Sequence, residues 1–326
     1  MPILLTEADV RALLTMDDLI ETMAAALSEF SARAVIQPLR TVLEVGQKKS
    51  FFGVMPAYMP SRAALGTKLV TVFESNAERG LPTHLATVIL LDPETGALLA
   101  LMDGRYITEA RTAAVSAVSV QKLARTDASV LAIIGSGVQA RSHLEAIARV
   151  RPLSEIRVWS PTATRVAEFV ASMQPHSAAP IIAAVTAEQA VRGASLVVLA
   201  TSAREPVIRD EWVAAGAHVC AVGACRPTQR EMDARLVARG ALYVDSLEAA
   251  LVEAGDIVLA VKDGSIDASH IRGEIGAVVG GSVKGRSSNE ELTIFKSLGM
   301  AVEDVAAAQL VYQRAISQGR GLMIDV

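Results

Sequence analysis

From residue 130 to about 282 the chain alternates short, largely β-branched apolar runs with stretches of helical spacing. The runs are VLAII (130–134), IRVW (156–159), PIIAAV (180–185), LVVLA (196–200), HVCAV (218–222), LYVD (242–245) and AVVG (277–280). Continuously apolar strands separated by helices belong to a parallel sheet covered on both faces. The pattern therefore predicts a doubly wound α/β domain.

The chain before it reads differently. After a helix over 16–34, the runs 40–45, 51–55, 64–73 and 84–91 follow one another with turns such as DPETG (92–96) and no long helical insert. That order favours antiparallel pairing in a separate α+β unit. Residues 107–123, rich in Ala and Val, predict the helix that leads into the parallel sheet. Residues 293–318 space Val302, Val305, Ala306, Gln309, Leu310 and Ile316 helically, and this last helix is expected to return to the first unit.

With 326 residues the chain exceeds the roughly 100 to 200 of one ordinary core, so two domains are expected. A hydrophobic fraction of 51% against 20% charged residues suits packed domains, and no segment is biased enough to read as a disordered tail. The formal charge of −4, with cations scattered among acids, leaves no basic stripe for a nucleic acid. No apolar run approaches the about 20 residues of a membrane span. The start, MPILLTEADVRALL, has no cationic segment before its apolar residues, so no signal peptide is expected and the expected compartment is the cytoplasm. Cys220 and Cys225 are too few for a disulfide framework, and the dispersed histidines offer no metal spacing.

The segment Gly135-Ser136-Gly137-Val138-Gln139-Ala140 directly follows the run 130–134, and Ala140, Leu144, Ile147 and Ala148 continue it as a helical face. In that context the first glycine permits a tight turn, and the second lets backbone approach a pyrophosphate. The alanine allows close helix-on-strand packing, and the helix N-terminus offers its N–H donors to phosphates. The competing reading is a purely structural turn. At the end of the second run, where a carboxylate would take the ribose 2′-hydroxyl of NAD(H), the sequence has Ser160, Thr162 and Arg165. Either this end tolerates the 2′-phosphate of NADP(H), or Ser160 and Thr162 cap the next helix.

The chain resembles the ornithine cyclodeaminase/mu-crystallin family nearly end to end. The likeness is carried by GTKLV (66–70), LLDPETGALLALMDGRYITEARTAAVSA (90–117), GSGVQA (135–140), VGACRPTQREMD (222–233) and FKSLGMAVEDVAAA (295–308). The resemblance implies a Rossmann-type NAD(P)-binding domain over 113–290 and a substrate and dimerisation domain built from 1–112 and 291–326. It implies a homodimer, consistent with Ala- and Val-rich terminal segments that need cover. It places Arg40, Lys68, Thr83 and Arg111 at substrate positions, with Lys68 and Arg111 as the catalytic pair. Around the cofactor it places His84, Thr112, Gly135, Ser136, Gly137, Val138, Gln139, Ala140, Ser160, Thr162, Arg165, Thr201, Val222, Gly223 and Ser297. An arginine fork suits a carboxylate, and Lys68 and Arg111 stand in apolar runs where an unpaired cation would be costly.

One position departs from the cyclodeaminases. Where they have an aspartate credited with handling protons during deamination, this chain has Cys225, either a proton donor itself or small filler near a strand end. The expected activity is therefore NAD(P)H-dependent reduction of a cyclic ketimine carboxylate, with Δ1-pyrroline-2-carboxylate and Δ1-piperideine-2-carboxylate giving L-proline or L-pipecolate. The alternatives are an alanine dehydrogenase-like oxidoreductase, ornithine cyclodeamination, and a non-catalytic NADP-containing ligand-binding protein.

Overall fold

The computed structural model describes residues 1–46 and 50–325. The chain divides into two compact units, Met1–Arg111 with Gly299–Val326, and Thr112–Leu298. In the first, one sheet runs in the order Leu322–Met323, Ile3–Leu5, Leu98–Asp103, His84–Leu91, Ala64–Val72, Ser50–Met59, Thr41–Val45. Pairing is antiparallel throughout except between Ile3–Leu5 and Leu98–Asp103. The expected antiparallel unit is present. It is extended by strands of two and three residues, too short to show a period, and by LLALMD, which does not alternate.

Helix Met16–Ser31 starts where the Thr15 hydroxyl accepts the Asp18 N–H, and it buries Leu19, Ile20, Met23 and Leu27. The last helix, Ala301–Gln318, packs on it and on the strands Ser50–Met59, Ala64–Val72 and His84–Leu91. Its buried side is mostly Ala and Val, which lets helix and sheet backbones approach closely. The helical reading of 293–318 is corrected at its start, because Thr293–Lys296 is a strand of the other unit. Four fully buried residues carry no alternation that would separate strand from helix. This strand also moves the return between units to Leu298–Gly299, rather than 290–291.

The second unit holds eight parallel strands in the order Ile271–Glu274, Ala241–Val244, Thr293–Lys296, His218–Ala221, Leu196–Leu199, Val130–Ile134, Glu155–Trp159, Ile181–Ala183. Its core strands are buried on both faces, as the unbroken apolar runs predict. The run 277–280 is a second correction: it lies largely in helix Ile275–Val279, and the strand is the preceding Ile271–Glu274. After Val130–Ile134 the chain builds two strands to one side, then returns to add Leu196–Leu199 on the other. That reversal is the topological switch point, outside whose carboxyl ends open α/β sheets bind ligands. Among the described residues no helix is long and apolar enough to cross a membrane.

Candidate active site

Lys68 lies on Ala64–Val72 and Arg111 on helix Arg105–Leu123, and both are buried. They converge on the last helix. Lys68 Nζ is 2.6 Å from Asp304 Oδ2, Arg111 Nε donates to Asp304 Oδ1 at 3.0 Å, and Arg111 Nη1 donates to Glu303 Oε2 at 2.5 Å. Both carboxylates are fully buried, so each charge in the group is held by an opposite one. This is how two cations stand inside apolar runs. Burial, with the Arg111 and Arg40 charges adding to it, draws the Lys68 ammonium down to about 8 against the opposing pull of Asp304. Arg40 is half-buried, and its Nη2 donates to the Gly299 carbonyl at 3.1 Å.

The structure thus brings together Arg40, Lys68 and Arg111. His84 begins the neighbouring strand His84–Leu91, and Thr83 immediately precedes it. Lys68 pairs with Val88 and Val72 with His84, a separation of four residues along the ladder, or roughly 13 Å at about 3.4 Å per residue. The Thr83 hydroxyl and His84 Nδ1 are 3.2 Å apart.

Glu303 and Asp304 went unrecognised in the sequence as site residues. Their signal was there: two adjacent acids in a helix whose first eight residues are otherwise Ala and Val must find cations if they are to be buried.

In the other unit, Gly135 has φ +122°, and a Cβ there would stand 2.4 Å from the Ala200 carbonyl oxygen. The fold alone therefore demands this glycine. Gly137 is different: its backbone is extended, and a Cβ would meet nothing within 4 Å. It occupies the N-cap of helix Val138–Val150, which begins without any side-chain cap. Ala140 is buried against the sheet, whereas Val138 is exposed.

Ser136 Oγ donates to Ser160 Oγ at 3.0 Å, joining the glycine loop to the end of the second strand. Ser160 in turn donates to the Thr162 carbonyl. Thr162 is the N-cap of helix Ala163–Met173 but makes no side-chain cap bond, so neither hydroxyl does the capping that the alternative reading required. Arg165 is exposed in the first turn of that helix.

Thr201, Val222, Gly223 and Ser297 follow the carboxyl ends of Leu196–Leu199, His218–Ala221 and Thr293–Lys296, which are neighbours in the sheet. With the glycine loop they form one continuous edge. Ser297 is buried, its hydroxyl donating to Asp245 Oδ2 at 3.3 Å. Thr112 begins the unit and is half-buried. Cys225 packs on the apolar core, and its Sγ donates to the Val222 carbonyl at 3.1 Å.

A sequence model of the ornithine cyclodeaminase/mu-crystallin family matches residues 1–319. Ketimine reductase mu-crystallin of Rattus norvegicus is 44% identical over 297 residues, 90% of this chain and 91% of the relative. Thermococcus litoralis Δ1-pyrroline-2-carboxylate reductase, solved in complex with NADH and L-proline, superposes with a TM-score of 0.97 at 38% identity. The match covers 99% of this chain and all of that one. An archaeal alanine dehydrogenase dimer with bound NAD has a TM-score of 0.94 at 34% identity, covering 99% of each chain. With the glycine edge in one unit, the paired cations in the other and likeness over nearly the whole length, the chain belongs to the ornithine cyclodeaminase/mu-crystallin family.

Proposed function

We propose that the protein reduces a cyclic ketimine carboxylate, Δ1-pyrroline-2-carboxylate or Δ1-piperideine-2-carboxylate, to L-proline or L-pipecolate with NADH or NADPH. The observation that carries this reading is the buried group of Lys68, Arg111, Glu303 and Asp304. Two acids hold two cations at fixed positions, in a family that includes ketimine and pyrroline-carboxylate reductases.

Arg111 and Arg40 take the substrate carboxylate through charge-assisted hydrogen bonds, which fixes the face of the ring. Lys68, ionised below about 8, holds a proton at Nζ for the imine nitrogen. Asp304 keeps Lys68 and Arg111 at a set separation. Nicotinamide, when bound, supplies the hydride that the imine carbon accepts.

Gly137 supports the dinucleotide reading. Nothing in the fold excludes a side chain there, whereas a pyrophosphate needs bare backbone at that loop. Ser136, Ser160 and Arg165 present hydroxyls and a cation instead of a carboxylate, which suits the 2′-phosphate of NADPH as well as NADH. The protein acts as a homodimer, a state supported by the dimeric archaeal relative.

Ornithine cyclodeamination is disfavoured because Cys225 occupies the position of the cyclodeaminase aspartate and its thiol is turned to the Val222 carbonyl. Likeness to the alanine dehydrogenase favours one second reading, reduction of an open-chain imino acid by the same cations. Oxidation of NADH and NADPH, followed with five- and six-membered cyclic imines and with pyruvate plus ammonia, tests both. Turnover of a cyclic imine well above pyruvate is expected, and the reverse order would select the second reading.

A further inference from the structure

The mechanism leaves unused a set of buried ionic groups under the strand ends of the second unit. Glu231, Asp256 and Lys296 are all completely inaccessible. Lys296 ends the strand Thr293–Lys296, and Asp256 stands in the first turn of helix Gly255–Lys262, with Nζ and Oδ2 3.4 Å apart. Asp256 Oδ1 accepts the N–H groups of Glu231 and Met232 at 2.8 and 3.0 Å. Glu231 is thereby pinned by its own backbone.

Its side chain then reaches two different loops. Oε1 accepts the Thr201 N–H and the Thr201 hydroxyl, both at 2.8 Å. Oε2 accepts the Gly223 N–H at 2.7 Å and the Ala224 N–H at 3.1 Å. One carboxylate thus clamps the segments leaving Leu196–Leu199 and His218–Ala221. The clamp is as tight as backbone allows, since a Cβ on residue 223 would stand 2.1 Å from the Thr201 carbonyl oxygen and 2.4 Å from Glu231 Oε1.

We propose that Glu231 is the positioning residue that fixes the Thr201 and Gly223–Ala224 loops as one rigid platform for the nicotinamide cofactor. The inference rests on the nicotinamide reading above. A main-chain platform serves a ligand only if both loops are held at once, and the four donors converging on Glu231 hold them without lending a side chain to the surface. Burial pushes the Glu231 carboxyl up from its ordinary range, and Lys296 opposes this. Four donors and no acceptor requirement suit the ionised form alone.

The conservative test is Glu231→Gln. Its amide places an NH2 where Glu231 accepts two donors, so either the Thr201 side or the Gly223–Ala224 side loses its partner. Titration of NADH and of NADPH into wild type and variant, by quenching of protein fluorescence, reads the consequence. Kd is expected to rise roughly ten- to a hundredfold, the effect of lost charge-assisted hydrogen bonds. KM for the cofactor should rise with it, whereas KM for the imine at saturating cofactor stays within about twofold.

Glu231→Asp, which keeps the charge but reaches only one loop, should weaken cofactor binding as well. It decides the matter if the Gln variant does not fold. A folded variant with a lower melting temperature but wild-type cofactor Kd would make Glu231 a support of the fold only and overturn the inference. A wild-type protein that binds neither dinucleotide would overturn the nicotinamide reading itself.

Discussion

Asp304→Asn should move the alkaline limit of the reaction. The substitution keeps the shape of the side chain and removes the negative charge that lies 2.6 Å from Lys68 Nζ. Asp304 is the counter-charge that opposes burial, Arg111 and Arg40, so its loss lowers the ammonium further from about 8. An opposite charge at this range is worth about 1 to 3 pKa units, which places Lys68 in the variant at roughly 5 to 7. A lowered ammonium pKa leaves the protonated form, the proposed proton donor, only at lower pH. The wild-type kcat/KM for Δ1-pyrroline-2-carboxylate should therefore hold up to about pH 8 and fall above it. The variant should begin to fall at roughly pH 5 to 7, losing roughly threefold to two-hundredfold at pH 7.5 from this cause alone. The position of the limb is the readout, because reorientation of Arg111 lowers the whole curve without moving it. Titration of the imine itself is common to both proteins and cancels in the comparison. A folded Asp304→Asn protein whose limb stays at the wild-type pH would refute the assignment of Lys68 as proton donor, or its coupling to Asp304.

Arg111→Ala should lower kcat/KM roughly ten- to more than a hundredfold, the value of a charge-assisted contact of about 1.5 to 3 kcal/mol. It should also lower the melting temperature, because Glu303 and Asp304 are left buried without their guanidinium. Near wild-type kcat/KM would show that the substrate carboxylate is anchored elsewhere. Ser160→Asp should shift the kcat/KM ratio toward NADH, by accepting from the ribose hydroxyl and repelling a 2′-phosphate; a wild-type enzyme already strongly selective for NADH would contradict the role given to Ser160. Light scattering at assay concentration should give twice the 34.3 kDa chain mass, and an active monomer would remove the dimer from the account.

Most of the parallel unit was legible because strands buried on both faces leave unbroken apolar runs, and VLAII, LVVLA and HVCAV all became strands where they were expected. Thr293–Lys296 was hidden for the same reason that AVVG misled: four residues cannot distinguish a buried strand from a turn of buried helix. Ile271–Glu274 was hidden because IRGE, with an exposed Arg272, carries no apolar run. In the site, Lys68 and Arg111 announced themselves as cations in apolar surroundings, but the sequence does not say who neutralises them. That answer needs the return of the last helix to the first unit, where Glu303 and Asp304 meet Arg111 from nearly two hundred residues away in the chain, and Asp304 meets Lys68 from farther still. Gly135 and Gly137 look alike in the sequence and differ in the structure: Ala200 forces the first, and nothing inside the protein forces the second. Glu231 was visible only as a letter in a family motif, since a carboxylate that clamps two loops has no local pattern.

The central claim, reduction of a cyclic imine rather than deamination of a diamino acid, is tested most directly on a single preparation. NADPH and NADH oxidation with Δ1-pyrroline-2-carboxylate should be measured beside ammonia release from L-ornithine with NAD supplied. Imine reduction asks for a held carboxylate, a proton and a hydride, the roles proposed above for Arg111 with Arg40, for Lys68 and for the nicotinamide cofactor. Cyclodeamination also needs proton handling at the amino carbon, typically a contribution of about 10² to 10⁴-fold, and the position of the cyclodeaminase aspartate is held here by Cys225. The account predicts rapid oxidation of reduced cofactor with the imine, L-proline as the product, and ammonia from ornithine at background. Substantial ammonia release with negligible imine reduction would contradict it.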